Sequence, residues 1–210
     1  MKKLIFASGN PHKVEEAAAI LGDAFQIVTP AEAGLTEEIP ETGNTLRSNS
    51  LQKARYIYEH TGADCFADDT GLEVDILGGE PGVFTARYAG EACNPEANME
   101  KLLLEMSRRE YAASAARQAG IATPFATRRA RFRTCVTLIL DGQPHYFDGI
   151  LEGQIAREKS GVKGFGYDPV FIPDEYPDRT LANLSPEVKN AISHRGKAVR
   201  AMAEYLKGLK

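Results

Sequence analysis

The chain has 210 residues, of which 43% are hydrophobic and 26% charged, with a formal net charge of −4 and a pI near 5.7. That length suits one domain with a packed core, and the acidic balance excludes a broad polyanion-binding surface, so positive charge must act locally. The three cysteines (Cys65, Cys93 and Cys135) show no paired metal spacing, and MKKLIFASGN lacks a long apolar region and a cleavage site, which predicts a cytoplasmic chain with reduced core cysteines, no export and no membrane span.

Lys3 to Ala7 reads as a strand and Pro11 to Leu21 as a helix, joined by SGNPHK, Ser8 to Lys13. Gly9 permits an unusual backbone, Asn10 suits a helix cap, and Pro11 suits the first helical position. Free N–H groups at the helix start, its dipole and the Lys13 ammonium could together face one anion, although the same junction also occurs as plain architecture. Phe25 to Val28 is a second strand, and Thr45 to His60 a helix stopped by Gly62. Asp64 to Asp68 is a short strand, continued over Leu72 to Leu77 after a turn at Thr70-Gly71, with a Gly-Gly-Glu-Pro-Gly turn beyond.

Asn94-Pro95 open a helix to about Met106. Ser107 to Thr127, rich in Ala and Arg with Gly120 and Pro124, reads as a mobile, partly helical insertion peripheral to any chemistry, with a basic flap over bound phosphate, built on Arg108, Arg109, Arg117 and Arg128, as the rival role. Arg129 to Leu140 alternates as a strand, and Asp141-Gly142 turns it into His145 to Ile150; further strands are expected over Gly153 to Arg157 and Asp168 to Ile172. Ser185-Pro186 open one helix, and an amphipathic helix closes the chain. These elements predict a single α/β domain over 1–210, with polar, Gly-marked turns gathered at strand ends.

Five segments carry candidate chemistry. SGNPHK is the candidate anion-binding loop, and Glu41-Thr42-Gly43 sets a carboxylate ahead of a helix that carries Lys53. Asp68 and Asp69 are neighbours, so both could converge on one metal only if the strand ended at Thr70. Hard oxygen ligands without a His/Cys cluster indicate magnesium rather than zinc; the alternative is a capped turn. In Gly161-Val162-Lys163-Gly164-Phe165-Gly166-Tyr167-Asp168, a flexible loop, the glycines flanking Phe165 leave its ring open as a base-stacking platform, or else Phe165 and Tyr167 both enter the core. Lys189 and Ser193-His194-Arg195-Gly196 group donors at a basic helix start, where charge opposes the dipole. His12, His60 and His145 carry no partner signal and read as surface residues.

The segments SGNPHK, ETGNTL with Asn49 and Lys53-Ala54, ADDTGLEVD, LGGEPGVFTARYAG, GFGYDPVF and AISHRGKA stand in this order. In that order the chain resembles the inosine/xanthosine triphosphate pyrophosphatase family, over nearly its whole length except residues 107–127. The resemblance implies an elongated mixed β-sheet flanked by helices, two lobes with the active site in the cleft between them, and a homodimer. It also implies Mg²⁺-dependent hydrolysis of ITP, dITP and XTP to monophosphate and pyrophosphate, acting on free nucleotides and neither on a nucleic acid polymer nor at a membrane.

Carried over, the loop of Ser8, Gly9, Asn10, Pro11, His12 and Lys13 would bind the triphosphate. Glu41 and Asp69 would hold Mg²⁺, Asp69 would also accept a proton from water, and Lys53 and Asp68 would assist. Thr70 would touch substrate, Phe165, Gly166, Tyr167 and Asp168 would hold the base, and Lys189, His194 and Arg195 would complete the pocket. Thr70 stands where the family more often has serine, and Ser48 and Ser50 flank Asn49 where it tends to have Glu and Ala. A pyrophosphatase for another modified nucleotide and a nucleotide sensor without catalysis remain as alternatives.

Overall fold

The computed structural model describes residues 2–122 and 127–209. Seven strands, β1 (Lys2–Phe6), β2 (Phe25–Val28), β3 (Cys65–Val74), β4 (Pro81–Gly82), β5 (Arg129–Leu140), β6 (Gln143–Ile155) and β7 (Phe171–Pro173), form a mixed sheet in the order β2-β1-β3-β5-β6-β7, with β4 paired to β3. The pairs β1/β2 and β1/β3 are parallel, and β3/β4 and β6/β7 antiparallel. The helices are α1 (Pro11–Leu21), α2 (Leu46–Thr61), α3 (Pro95–Gln118), α4 (Pro186–Ile192) and α5 (His194–Gly208). The chain forms two compact units, one of residues 1–70, 133–150 and 190–210 and one of 71–132 and 151–189.

In the first unit the period-two alternation of strand side chains sorts the core into two layers. Leu4, Phe6, Phe66, Val136 and Leu138 pack with Ala17 and Leu21 of α1 and with Ala198, Val199, Met202 and Leu206 of α5. Ile5, Ala7, Cys65, Ala67 and Ile139 meet Ala54 and Ile57 of α2. Phe6 and Phe66 stack at 4.3 Å between centroids; truncating either to alanine removes about 3–5 kcal/mol. Thr45 caps α2, accepting from Ser48 N, while Ser48 Oγ accepts from Thr45 N at 3.0 Å, so Ser48 completes a reciprocal cap. Gly62, left-handed at φ +66, ends that helix.

In the second unit, Met99, Leu102 and Met106 bury one face of α3, and the rings of Phe132 and Phe171 meet at 4.7 Å. Arg129 forms a two-pronged pair with Asp174 at 2.6 and 2.9 Å.

Several expected boundaries move. The strand does not stop at Thr70-Gly71, because Leu72 and Glu73 pair with Gly82 and Pro81, carrying β3 on to Val74. The stretches His145–Ile150 and Gly153–Arg157 belong largely to one strand, β6. Of the strand expected over Asp168–Ile172, the first three residues make a 3-10 turn and β7 begins at Phe171. Helix α3 passes Met106 and runs to Gln118, so Ser107 to Gln118 is helical; its Ala and Arg side chains are good helix formers. Glu110 within it pairs with Arg128 at 2.9 Å, and residues 123–126 of the expected insertion lie outside the described residues. Cys65 and Cys135 are buried as expected, whereas Cys93 is exposed. His145 is no plain surface residue, since it bonds Tyr205 Oη at 3.0 Å; exposed His60 stacks on Tyr56 at 4.1 Å, and exposed His12 faces Glu15. Among the described residues no helix is long and apolar enough to cross a membrane.

Candidate active site

The alternation that layers the first unit also separates the two aspartates. Asp68, in step with Phe66, faces α1 and α5; Asp69, in step with Ala67, faces α2. Since β3 continues past Thr70, the condition for both carboxylates to share one ion is not met.

Asp68 is 1% exposed and accepts from Lys13 Nζ at 2.9 and 2.8 Å and from Arg195 Nε at 3.0 Å. Burial pushes its pKa up, but Lys13, Arg195 and Lys53 together outweigh that and hold it below the usual carboxylate range. The network extends through Arg195 Nη1 to Glu16 at 3.1 Å, and Glu16 accepts from Ser193 Oγ at 2.6 Å. Ser193 in turn caps α5 by accepting from Gly196 N at 2.8 Å. The basic start of α5 is thereby neutralised by buried Asp68 and partly buried Glu16. Arg195 is itself buried and turned to Asp68 and Glu16.

On the other face, Asp69 accepts from Asn49 Nδ2 at 3.1 Å and lies 3.9 Å from Lys53 Nζ, while Lys53 donates to Glu41 at 2.5 Å. Asn49 and Lys53 stand four apart on α2 and so share a helix face. Burial raises the pKa of Asp69; Lys53 and the Asn49 bond oppose this, and the charges of Glu41 and Asp68 add to it. Burial pulls the Lys53 pKa down, but Asp68, Asp69 and Glu41 reverse that and raise it, so the ammonium stays charged. Asn49 also accepts from Gly43 N at 2.7 Å; a Cβ at Gly43 would lie 2.6 Å from Asn49 Oδ1, so glycine is required for the loop to approach this closely. Among the described residues no group of three or more His, Cys, Asp or Glu could hold a metal. Two hard carboxylates, Glu41 and Asp69, joined through one lysine, still suit a magnesium ion that takes its remaining ligands from phosphate and water.

The loop Ser8 to Lys13 differs from expectation in three ways. Asn10 Oδ1 accepts from His12 N at 3.0 Å and from Lys13 N at 3.4 Å, so these helix-start donors are capped rather than free. The Lys13 ammonium is turned onto Asp68. Gly9 takes no left-handed φ, and a side chain there would meet nothing within 4 Å. Ser8 Oγ accepts from Asn10 N at 3.2 Å. Pro11 opens α1 as expected.

Thr70 Oγ1 lies 2.7 Å from Thr134 Oγ1, which lies 2.6 Å from His194 Nδ1. Gly149 of β6 backs this corner, since a Cβ there would fall 1.9 Å from His194 O.

In the second unit the GFGYD loop splits its two aromatic rings. Phe165 is 62% exposed, whereas Tyr167 is buried and donates its hydroxyl to Thr85 O at 2.9 Å. Burial pushes the Tyr167 pKa up. Buried Asp168 accepts from Phe165 N at 2.8 Å and pairs with Lys189, whose ammonium stands 4.5 Å from the Phe165 ring centroid, a cation–π distance. Gly164, at φ +86, leaves room for that carboxylate, since a Cβ would lie 2.1 Å from it, and Gly166 is left-handed at φ +60. The contacts of Lys189 are thus with Asp168 and Phe165, and those of Arg195 with Asp68 and Glu16.

Glu16, Asn49 and Thr134 take part in these networks without having been assigned a role from the sequence. Glu16 lies one helical turn from Lys13 and Asn49 one turn from Lys53, a spacing that could have marked both. Nothing local marked Thr134.

The family model described as the Ham1 family matches residues 4–205. The dITP/XTP pyrophosphatase of Porphyromonas gingivalis is 46% identical over 98% of both chains, and that of Flavobacterium johnsoniae 43% identical over 99% of this chain and 100% of its own. A solved structure of the Staphylococcus aureus Ham1 protein superposes with a TM-score of 0.82 at 35% identity, covering 100% of both chains.

Proposed function

The chain belongs to the Ham1 family, and from that premise we propose that it hydrolyses non-canonical purine nucleoside triphosphates (ITP, dITP and XTP) to the monophosphate and pyrophosphate with Mg²⁺, as a cytoplasmic homodimer. The observation that carries this reading is the Asp69 carboxylate, half-buried, raised in pKa and held by Asn49 and Lys53 beside Glu41.

Attack on phosphorus needs a proton acceptor for water and positive charge around the phosphoryl oxygens. Asp69 serves as the acceptor, because a raised pKa makes its carboxylate a better base near neutrality than an ordinary one. Lys53, kept charged by three acids, orients Glu41 and Asp69 and adds positive potential. Glu41 and Asp69 would hold Mg²⁺, which would supply charge neutralisation on the phosphoryl oxygens. Lys13 supplies a further cation once phosphate oxygens replace Asp68 as its partner, and Asp68 otherwise holds Lys13 and Arg195 in place. Phe165 offers an exposed ring for stacking a base, with the Lys189 ammonium 4.5 Å from its centroid. His194 donates to the 6-oxo group of hypoxanthine or xanthine; adenine presents an amino donor there, which an unmatched donor rejects.

The test is product analysis. Pure protein incubated with Mg²⁺ and ITP, XTP, ATP or GTP should release monophosphate and pyrophosphate from ITP and XTP in strong preference to ATP. Orthophosphate together with a diphosphate product would overturn the reading.

A further inference from the structure

Asn49 is 1% exposed on α2, and the two ends of its amide face different parts of the site. Its Oδ1 accepts from Gly43 N at 2.7 Å, and its Nδ2 donates to Asp69 Oδ2 at 3.1 Å. A backbone N–H can only donate and a carboxylate can only accept, so these partners allow one orientation of the amide. An amide offers an acceptor and a donor on one plane without charge. Aspartate here would set oxygen against oxygen at Asp69, and an apolar residue would leave both partners without their bond.

One face of α2 ties down the whole Glu41 loop. Lys53 donates to Glu41, Gln52 Oε1 accepts from Thr42 N at 2.9 Å, and Asn49 accepts from Gly43 N; positions 49, 52 and 53 share a helix face. Of these three side chains, Asn49 is the one that also hydrogen-bonds Asp69, since Lys53 stands 3.9 Å from it. The other Asp69 oxygen, Oδ1, accepts from Thr70 N at 3.0 Å. Each carboxylate oxygen is therefore held by one fixed donor and keeps acceptor capacity for a further partner. We propose that Asn49 is a positioning residue for the metal: through one amide it sets the plane of the Asp69 carboxylate and the approach of the Glu41 loop, so that the two acids meet a divalent cation as a pair. This deepens the reading of Glu41 and Asp69 as Mg²⁺ ligands and rests on it.

The test measures Mn²⁺ binding to the nucleotide-free protein by the loss of the free ion's electron paramagnetic resonance signal, with the site identified by its loss in Glu41→Gln. Asn49→Leu, close in size, should weaken that binding about tenfold or more, as removing a group that orients a metal ligand does. Gln52→Ala, which releases Thr42 and leaves Asp69 untouched, should weaken it far less. In steady-state kinetics with ITP, Asn49→Leu should raise the Mg²⁺ concentration for half-maximal velocity by a similar factor. Equal Mn²⁺ affinity in wild type and Asn49→Leu, an equal loss in Gln52→Ala, or no Glu41-dependent Mn²⁺ binding in wild type overturns the proposal. Should circular dichroism show that Asn49→Leu does not fold, Asn49→Ala, which gives water room at Gly43 N, takes its place with the same outcomes. A wild type that binds Mn²⁺ through Glu41 and does not hydrolyse ITP would fail the proposed function while leaving the metal measurement to judge Asn49.

Discussion

Replacing Asp68 by asparagine keeps the side chain's size and removes its charge from the best-buried acid of the site. Asp68 accepts three hydrogen bonds from two cations, so the variant leaves those cations to their remaining partners. Lys13 keeps a side chain 23% exposed and can turn to water, whereas the Arg195 side chain at 9% cannot and retains only Glu16. Removing one partner of a buried pair costs about 3–5 kcal/mol; with Lys13 relieved by solvent, the lower end, about 3 kcal/mol, is expected at pH 7. The pH dependence has a definite sign. The Asp68 pKa is depressed in the fold, so its stabilisation is complete above the unfolded value of about 4 and is lost as pH falls through the folded value. Urea unfolding followed by circular dichroism in EDTA, at pH 7 and at steps below pH 4, should show a gap between wild type and variant that narrows on acidification. A gap under about 1 kcal/mol at pH 7, or one that stays constant down to pH 3, would refute the reasoning.

Asp69→Asn should fold normally and lose on the order of a hundredfold or more in turnover, measured as pyrophosphate release at saturating Mg²⁺, since acid–base and metal roles each contribute on that scale. Phe165→Ala should change unfolding free energy by no more than about 0.5 kcal/mol, the ring being largely exposed, while raising KM for ITP; an unchanged KM would remove the stacking role. Gly149→Ala must displace β6 or the start of α5, because the new Cβ would fall 1.9 Å from His194 O, and should cost about 1–3 kcal/mol in thermal unfolding with a further loss of activity. A neutral Gly149→Ala would show that this corner can yield.

Local rules carried much of this protein. Asn10-Pro11, Thr45 and Asn94-Pro95 cap helices where the sequence places them, and Asp141-Gly142, both at positive φ, turns β5 into β6. These signals act over a few residues, so they are legible without knowing what lies across the fold. The ordered motifs likewise pointed to the family that the relatives and solved structures support. Tertiary structure decided whatever depends on partners distant in sequence. Thr70-Gly71 resembles a turn, yet pairing with β4 holds it in a strand, and that continuity sends Asp68 and Asp69 to opposite faces. Arg195 resembles a ligand donor until Glu16 and Asp68, 179 and 127 residues away, enclose it. Thr134 is one polar residue in an apolar strand until Thr70 and His194 meet at its hydroxyl, 64 and 60 residues away. The strand's alternation says which face each side chain takes, but only the packed sheet and helices set what stands opposite, because burial and hydrogen-bond satisfaction are properties of the assembled core.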